Sequence, residues 1–164
     1  MSEKYDVIYQ QTHDIDWFCR IGNTAMHFAS NGGLLPDQIN NRETNSQIQH
    51  AVSLIEDVLT NPDQIEINRR YVYERLGGND SEEAFRRYVE SFVAMAKKGF
   101  ISFDRMLEDN MYMWIARPAV GSKVDVPIDI LPIYEEVVCE RFASRNDVVH
   151  VWCLNKCGIL HRKA

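Results

Sequence analysis

The sequence predicts an α+β protein: a largely antiparallel sheet of about five to six strands, two hairpins plus a late strand, with helices packed mainly on one face. Three observations lead there. Two stretches with a period of two flank a two-residue turn near the N-terminus. Three stretches of helical period follow, and the period then returns to two. Runs of strands followed by runs of helices favour an antiparallel sheet over alternating βαβ units.

The first hairpin is read from "IDWFCRIGNTAMHFAS", where Gly22-Asn23 suits a type II′ turn. A two-residue loop fixes the register, so that residue numbers in opposed pairs sum to 45. Trp17, Cys19, Met26 and Phe28 then share an apolar face that belongs on the core. Phe18, Arg20 and His27, with Asp16 at the strand start, share the other face, which is expected to be the outer one. Before the hairpin, "YDVIYQ" alternates weakly and is expected to add a third strand. After it, Asn31, Gly32 and Gly33 open a loop.

In the helical part, "TNSQIQHAVSLIEDVL" carries an apolar stripe through Ile48, Val52, Ile55 and Val58, with Ser46 and Gln49 as a capping box. "NPDQIEINRRYVYERLGG" offers Asn61 as a cap, Pro62 in the first turn and Gly77-Gly78 as a terminator. "SEEAFRRYVESFVAMAKKG" repeats Phe85, Val89, Phe92 and Ala96 at helical spacing, with acids at its start and lysines at its end. "FISFDRML" and "MYMWIARP" read as a second hairpin and "IYEEVVCERFA" as a helix. "DVVHVWCL" reads as one buried late strand.

Composition narrows the function classes. The 164 residues suffice for a single domain with its own core, read as residues 1–164. The formal net charge of -6 disfavours binding to nucleic acid or an anionic membrane. Arg69-Arg70, Arg75 and Arg86-Arg87 are read as solvated helix faces. The N-terminal stretch has no apolar core of a signal peptide, and no apolar run approaches the roughly 18 residues of a membrane span. A cytoplasmic protein with reduced thiols is expected.

Chemistry-bearing residues gather in three places. Cys153, Cys157 and His161 recur at four-residue intervals near the C-terminus and resemble a metal-binding run. In a continuous strand, however, Cys153 points into the core with Val149 and Val151, and His161 sits on a basic tail. No metal and no other cofactor is therefore expected. His13, Asp16 and His27 form the second group, the parts of acid–base chemistry. The third is the Asn31-Gly32-Gly33 loop, which joins Phe18, Arg20 and His27 as a candidate binding surface. Asp104-Arg105 is read as a strand-end ion pair. No Gly-x-Ser-x-Gly and no His-Glu-x-x-His occurs.

These observations favour a non-enzymatic, cytoplasmic protein-interaction domain of the inhibitor, immunity or assembly type, with a basic protein as the expected partner. An open hairpin edge is compatible with a homo-oligomer. The alternative is a small-molecule-binding protein or hydrolase that uses His13, Asp16, His27 and the Gly32-Gly33 loop.

Overall fold

A computed structural model describes residues 3–21, 23–37, 39–79, 81–106, 111–122, 124–126, 131, 148–150, 153–154 and 160–161. The architecture is α+β. The N-terminal helix α1 (Val7–Thr12) precedes the hairpin β1 (Asp16–Ile21) and β2 (Thr24–Ala29). Helix α2 (Arg42–Ser53), strand β3 (Ile65–Ile67), and helices α3 (Arg69–Arg75) and α4 (Glu82–Lys97) follow. Next come β4 (Ile101–Arg105), β5 (Met111–Pro118) and β6 (Val148–His150). Strands β7 (Cys153–Leu154) and β8 (Leu160–His161) form a separate two-stranded sheet.

The main sheet runs β1-β2-β4-β5-β3, and β6 also pairs with β5. It is mostly antiparallel. The exception is the parallel pair β2–β4, whose connection contains α2, β3, α3 and α4. The first hairpin takes the register that its turn length dictates, with Trp17 opposite Phe28, Cys19 opposite Met26 and Ile21 opposite Thr24. Strands β4 and β5 pair with a register shift after Ser102, since Ser102 faces Ala116 while Phe103 faces Trp114. The extra residue, Ile115, lets consecutive Ile115 and Ala116 pack in the same helix-side cluster.

Both faces of the sheet are covered. Trp17, Cys19, Met26, Phe28, Phe103, Tyr112 and Trp114 make one cluster, closed over by Ile15, Leu35, Ile39, Tyr5 and Tyr9. On the other face α2 sets Ile48 and Val52 against Phe18, Ala25 and Phe100. Helices α3 and α4 pack Val72, Phe85, Val89, Phe92 and Ala96 against Ala29, Ile115 and Ala116. Three helices thus share one face, as expected. The supposed outer face of the first hairpin is not a surface. Phe18 and His27 are 2% and 1% exposed, because α2 and α4 arrive from far along the chain to bury them.

Several local expectations are corrected. The last four residues of "YDVIYQ" belong to a helix, not a strand. The Asp6 side chain accepts from the Tyr9 amide at 2.8 Å and caps it. Helix α2 starts from Asn41, whose side chain accepts from the Thr44 amide, so Ser46 lies inside the helix and does not cap it. That helix ends at Ser53, short of Val58, and the Val58 and Leu59 amides donate to the Lys97 carbonyl at 2.9 and 3.0 Å. The stretch from Asn61 to Gly78 is not one helix. Asn61 and Gln64 form their capping box on a single 3₁₀ turn, Ile65–Ile67 pairs with β5, and Asn68 caps α3. The Ile-Glu-Ile alternation carried a strand signal, and the Glu66–Arg117 pair at 3.2 Å locks it across the ladder. Helix α4 matches its reading, with Ser81 as cap, Glu82 and Glu83 in the first turn and Lys97 in the last.

The late strand is also divided. Val148–His150 pairs with Met111–Met113, whereas Cys153–Leu154 pairs with Leu160–His161 in the second sheet. The continuous strand that was to carry Cys153 into the core is therefore replaced by two strands of different sheets. The expected helix "IYEEVVCERFA", with Cys139, lies outside the described residues.

Phe92 is 6% exposed in the middle of the α4 stripe. Phe92→Ala is expected to cost about 3–5 kcal/mol, the usual penalty for an aromatic core truncation, read as a lower chemical-denaturation midpoint. Cys19 is 0% exposed among Trp17, Met26 and Phe28. It is expected to resist a thiol reagent in native buffer and to react once the chain is denatured.

Candidate functional site

The hairpin positions a continuous polar chain. His27 on β2 and Ser102 on β4 are register partners, and Asp16 begins β1. The His27 Nε2 lies 2.8 Å from Asp16 Oδ1, and Nδ1 lies 2.6 Å from the Ser102 hydroxyl oxygen. A carboxylate only accepts, so Nε2–H donates to Asp16. In the neutral ring, Nδ1 therefore accepts from the Ser102 hydroxyl. This is the connectivity of a serine–histidine–carboxylate triad. Its exposure is the reverse of what catalysis requires: Ser102 is 0% exposed, and Phe18 and Phe92 contact the imidazole. No acyl group can reach that hydroxyl. The chain instead orients the Asp16 carboxylate, which is half exposed, from behind.

Asp16 opens into a groove of about 420 Å³, lined by Tyr5, Tyr9, His13, Asp14, Ile15, Asp16, Arg42, Ser46 and Gln49. One wall is an aromatic ladder. Tyr5 stacks on Tyr9 at 5.3 Å, and Tyr9 stacks on His13 at 3.8 Å. These residues follow one another at four-residue spacing, which a helical turn brings into line. The His13 Nδ1–H donates to the Tyr9 carbonyl at 2.9 Å, which leaves Nε2 as the acceptor of the neutral ring. The Arg42 guanidinium carbon lies 4.9 and 4.6 Å from the Tyr5 and Tyr9 ring centres.

Side-chain amides, those of Gln10, Asn40 and Asn45 buried, hold these walls together. Asn45 and Gln49 donate from α2 to the Asp16 carbonyl at 3.1 and 2.9 Å. Asn40 exchanges two hydrogen bonds with the Tyr5 backbone, and Gln10 ties the Tyr5 carbonyl to the Leu35 amide. Ile15 and Ser30 are joined by two bonds, from the Ile15 amide to the Ser30 hydroxyl and from the Ser30 amide to the Ile15 carbonyl. Groups this well satisfied rigidify the floor of the groove.

The sequence candidates divide accordingly. His13 and Asp16 share the groove, while His27 lies behind Asp16 in the core. Phe18 packs on Phe100 at 5.5 Å, and Arg20 reaches the Val126 carbonyl at 3.3 Å. The glycine loop is not an anion cradle. The Asn31 amide donates to Asp14, that of Gly32 to the His13 carbonyl, and that of Gly33 to the Ser30 carbonyl. Gly33 is favoured by packing, because a Cβ there would come within 2.9 Å of the Ser30 carbonyl oxygen and would also displace the Arg105 side chain. Sequence reasoning missed Tyr5, Tyr9, Arg42, Ser46 and Gln49. Their signal was the four-residue spacing Tyr5, Tyr9, His13, masked by the weak alternation.

A second buried polar cluster lies under α3 and α4. Asp104 and Arg105 do not pair with each other, since consecutive strand residues face opposite sides. Asp104 instead accepts from the Tyr88 hydroxyl at 2.5 Å and faces Arg75 at 3.5 Å, while Arg105 donates to the Ser30 and Asn31 carbonyls. Arg75, which donates to the Tyr71 hydroxyl and the Arg105 carbonyl, therefore turns inward and is not on a solvated helix face as expected. Arg70 and Arg87 pair with Glu74 and Glu83 one turn away.

Among the described residues no group of three or more His, Cys, Asp or Glu is placed to hold a metal ion. Cys157 lies outside the described residues, and of Cys153 and His161 only the backbone pairing is described. No helix among the described residues is long and apolar enough to cross a membrane. Compared with known proteins, the chain matches no family model, no curated protein and no solved structure.

Burial raises the Asp104 carboxyl above the ordinary carboxylate range, against the opposing pull of Tyr88 and Arg75. A raised carboxyl binds its proton more tightly in the folded state, so its contribution to stability falls as pH rises from about 4. Asp104→Asn removes that titration. The stability cost of the variant is expected to be greatest at low pH and to shrink as pH rises, measured by denaturant unfolding across a pH series.

Proposed function

We propose that this protein is a non-enzymatic binding protein of the cytoplasm that takes a small polar ligand in the groove between α1, β1 and α2. The convergence of His13, Asp16 and Arg42 on one concave, aromatic-walled space carries this reading, since small-ligand sites combine concavity with a few convergent polar groups. The inaccessibility of Ser102 favours binding over serine-type hydrolysis.

A protein partner is the second reading. Val7 and Ile8, on the same short helix that supplies Tyr9, are 54% and 74% exposed, an apolar surface that a partner could cover. The net charge of -6 suits a basic one.

A thermal-shift screen of small polar metabolites against the wild type and Asp16→Ala separates the two. A ligand that binds only the folded form raises its stability by mass action. The expected result is stabilisation of the wild type that the variant loses. No stabilisation by any compound, together with capture of a partner that Ile8→Glu abolishes, would replace the first reading with the second.

A further inference from the structure

Resting on the groove as a ligand site, we propose that its ligand is a small zwitterion of the α-amino-acid type. Its ammonium lies toward Asp14 and Asp16 and its carboxylate toward Arg42. Among the described residues, each of the two carboxylates accepts one hydrogen bond. Asp14 Oδ1 accepts from the Asn31 amide at 2.9 Å, and Asp16 Oδ1 accepts from His27 Nε2 at 2.8 Å. Among the described residues neither forms an ion pair with an arginine or lysine. Both line one groove, so a ligand that displaces water there meets two negative charges, which a cationic group compensates.

Arg42 supplies the opposite sign in the same space. Among the described residues the carboxylate it pairs with is that of Glu3, 3.9 Å away and 78% exposed, which leaves a long and solvent-screened contact. Its Nε is buried with no hydrogen-bond partner among the described residues, and its guanidinium is held against Tyr5 and Tyr9. A planar cation fixed in this way is set to receive a carboxylate on its terminal nitrogens. A simple cation would be repelled by Arg42, and a simple anion would be repelled by Asp14 and Asp16. A zwitterion satisfies both signs and leaves the net charge of the groove unchanged.

The aromatic ladder adds a preference for the ligand's side chain. The stack Tyr5, Tyr9, His13 ends at an exposed imidazole, so a planar side chain can continue it.

Calorimetric titration with L-phenylalanine, phenethylamine and 3-phenylpropanoate isolates each charge on a constant ring. L-Phenylalanine is expected to bind saturably, and each single-charge analogue about tenfold or more weakly, the scale of one lost charge-assisted hydrogen bond. Arg42→Gln is expected to abolish the preference for L-phenylalanine over phenethylamine. Asp16→Asn is expected to weaken the preference over 3-phenylpropanoate, since Asp14 remains, and the Asp14→Asn, Asp16→Asn double variant to abolish it. Because Arg42 packs on Tyr5 and Tyr9, Arg42→Lys is titrated alongside; it keeps the charge and should keep part of the preference. Phenethylamine binding as tightly as L-phenylalanine would overturn the zwitterion and leave the groove as a cation site. Binding of none of the three would overturn this inference too, while the metabolite screen decides separately whether the groove binds a ligand at all.

Discussion

Trp17, Phe28 and Phe103 lie face to face across three adjacent strands, with ring centres 4.1 and 4.9 Å apart and planes within 12°. Tyr112 closes the row edge-on, against Trp17 at 5.7 Å and Phe28 at 5.1 Å. This row ties two kinds of pairing together. The Trp17–Phe28 contact belongs to a local hairpin, while the Phe28–Phe103 contact belongs to a parallel pair that must bring β4 back from far along the chain. A shift of one residue in either pairing would turn an aromatic ring to the wrong face, so the row specifies both registers at once.

The opposite face inherits its order from the same registers. With Phe28 opposite Phe103, His27 must fall opposite Ser102 and Ala29 opposite Asp104. Those alternate residues point toward the helices, where hydrogen-bonding groups need partners once water is excluded. Ser102 and Asp16 satisfy His27, and Tyr88 and Arg75 satisfy Asp104. The row therefore sets where the polar chain ends, which is at Asp16 on an edge strand. There the chain meets the groove, and α2 caps the edge carbonyl of Asp16 with Asn45 and Gln49. Covering an edge in this way also limits unwanted pairing with another chain.

The candidate site was half legible in the sequence. His13 and Asp16 were visible as chemistry-bearing residues near a strand start. His27 was visible too, but its depth was not, because burial of a second sheet face depends on helices placed by long-range packing. The Asn31-Gly32-Gly33 loop looked like a binding feature since glycines leave amides accessible. The structure gives those amides internal acceptors, and only the fold reveals such partners.

By itself the sequence determined the first hairpin's register and the helix α4, along with the α+β class. Each of these rests on local physics: a two-residue loop admits one register, and sixteen residues with an unbroken apolar stripe, a serine cap and terminal charges of the right sign suffice for a helix. Only the tertiary structure decided the shorter elements. The three residues of β3 are a strand because β5 offers them a ladder. The six residues of α1 are a helix because Tyr9 within it and Tyr5 just before it find Arg42 and the Trp17 cluster. Segments this short have too little intrinsic preference to choose a conformation, so the partner across the core chooses it for them.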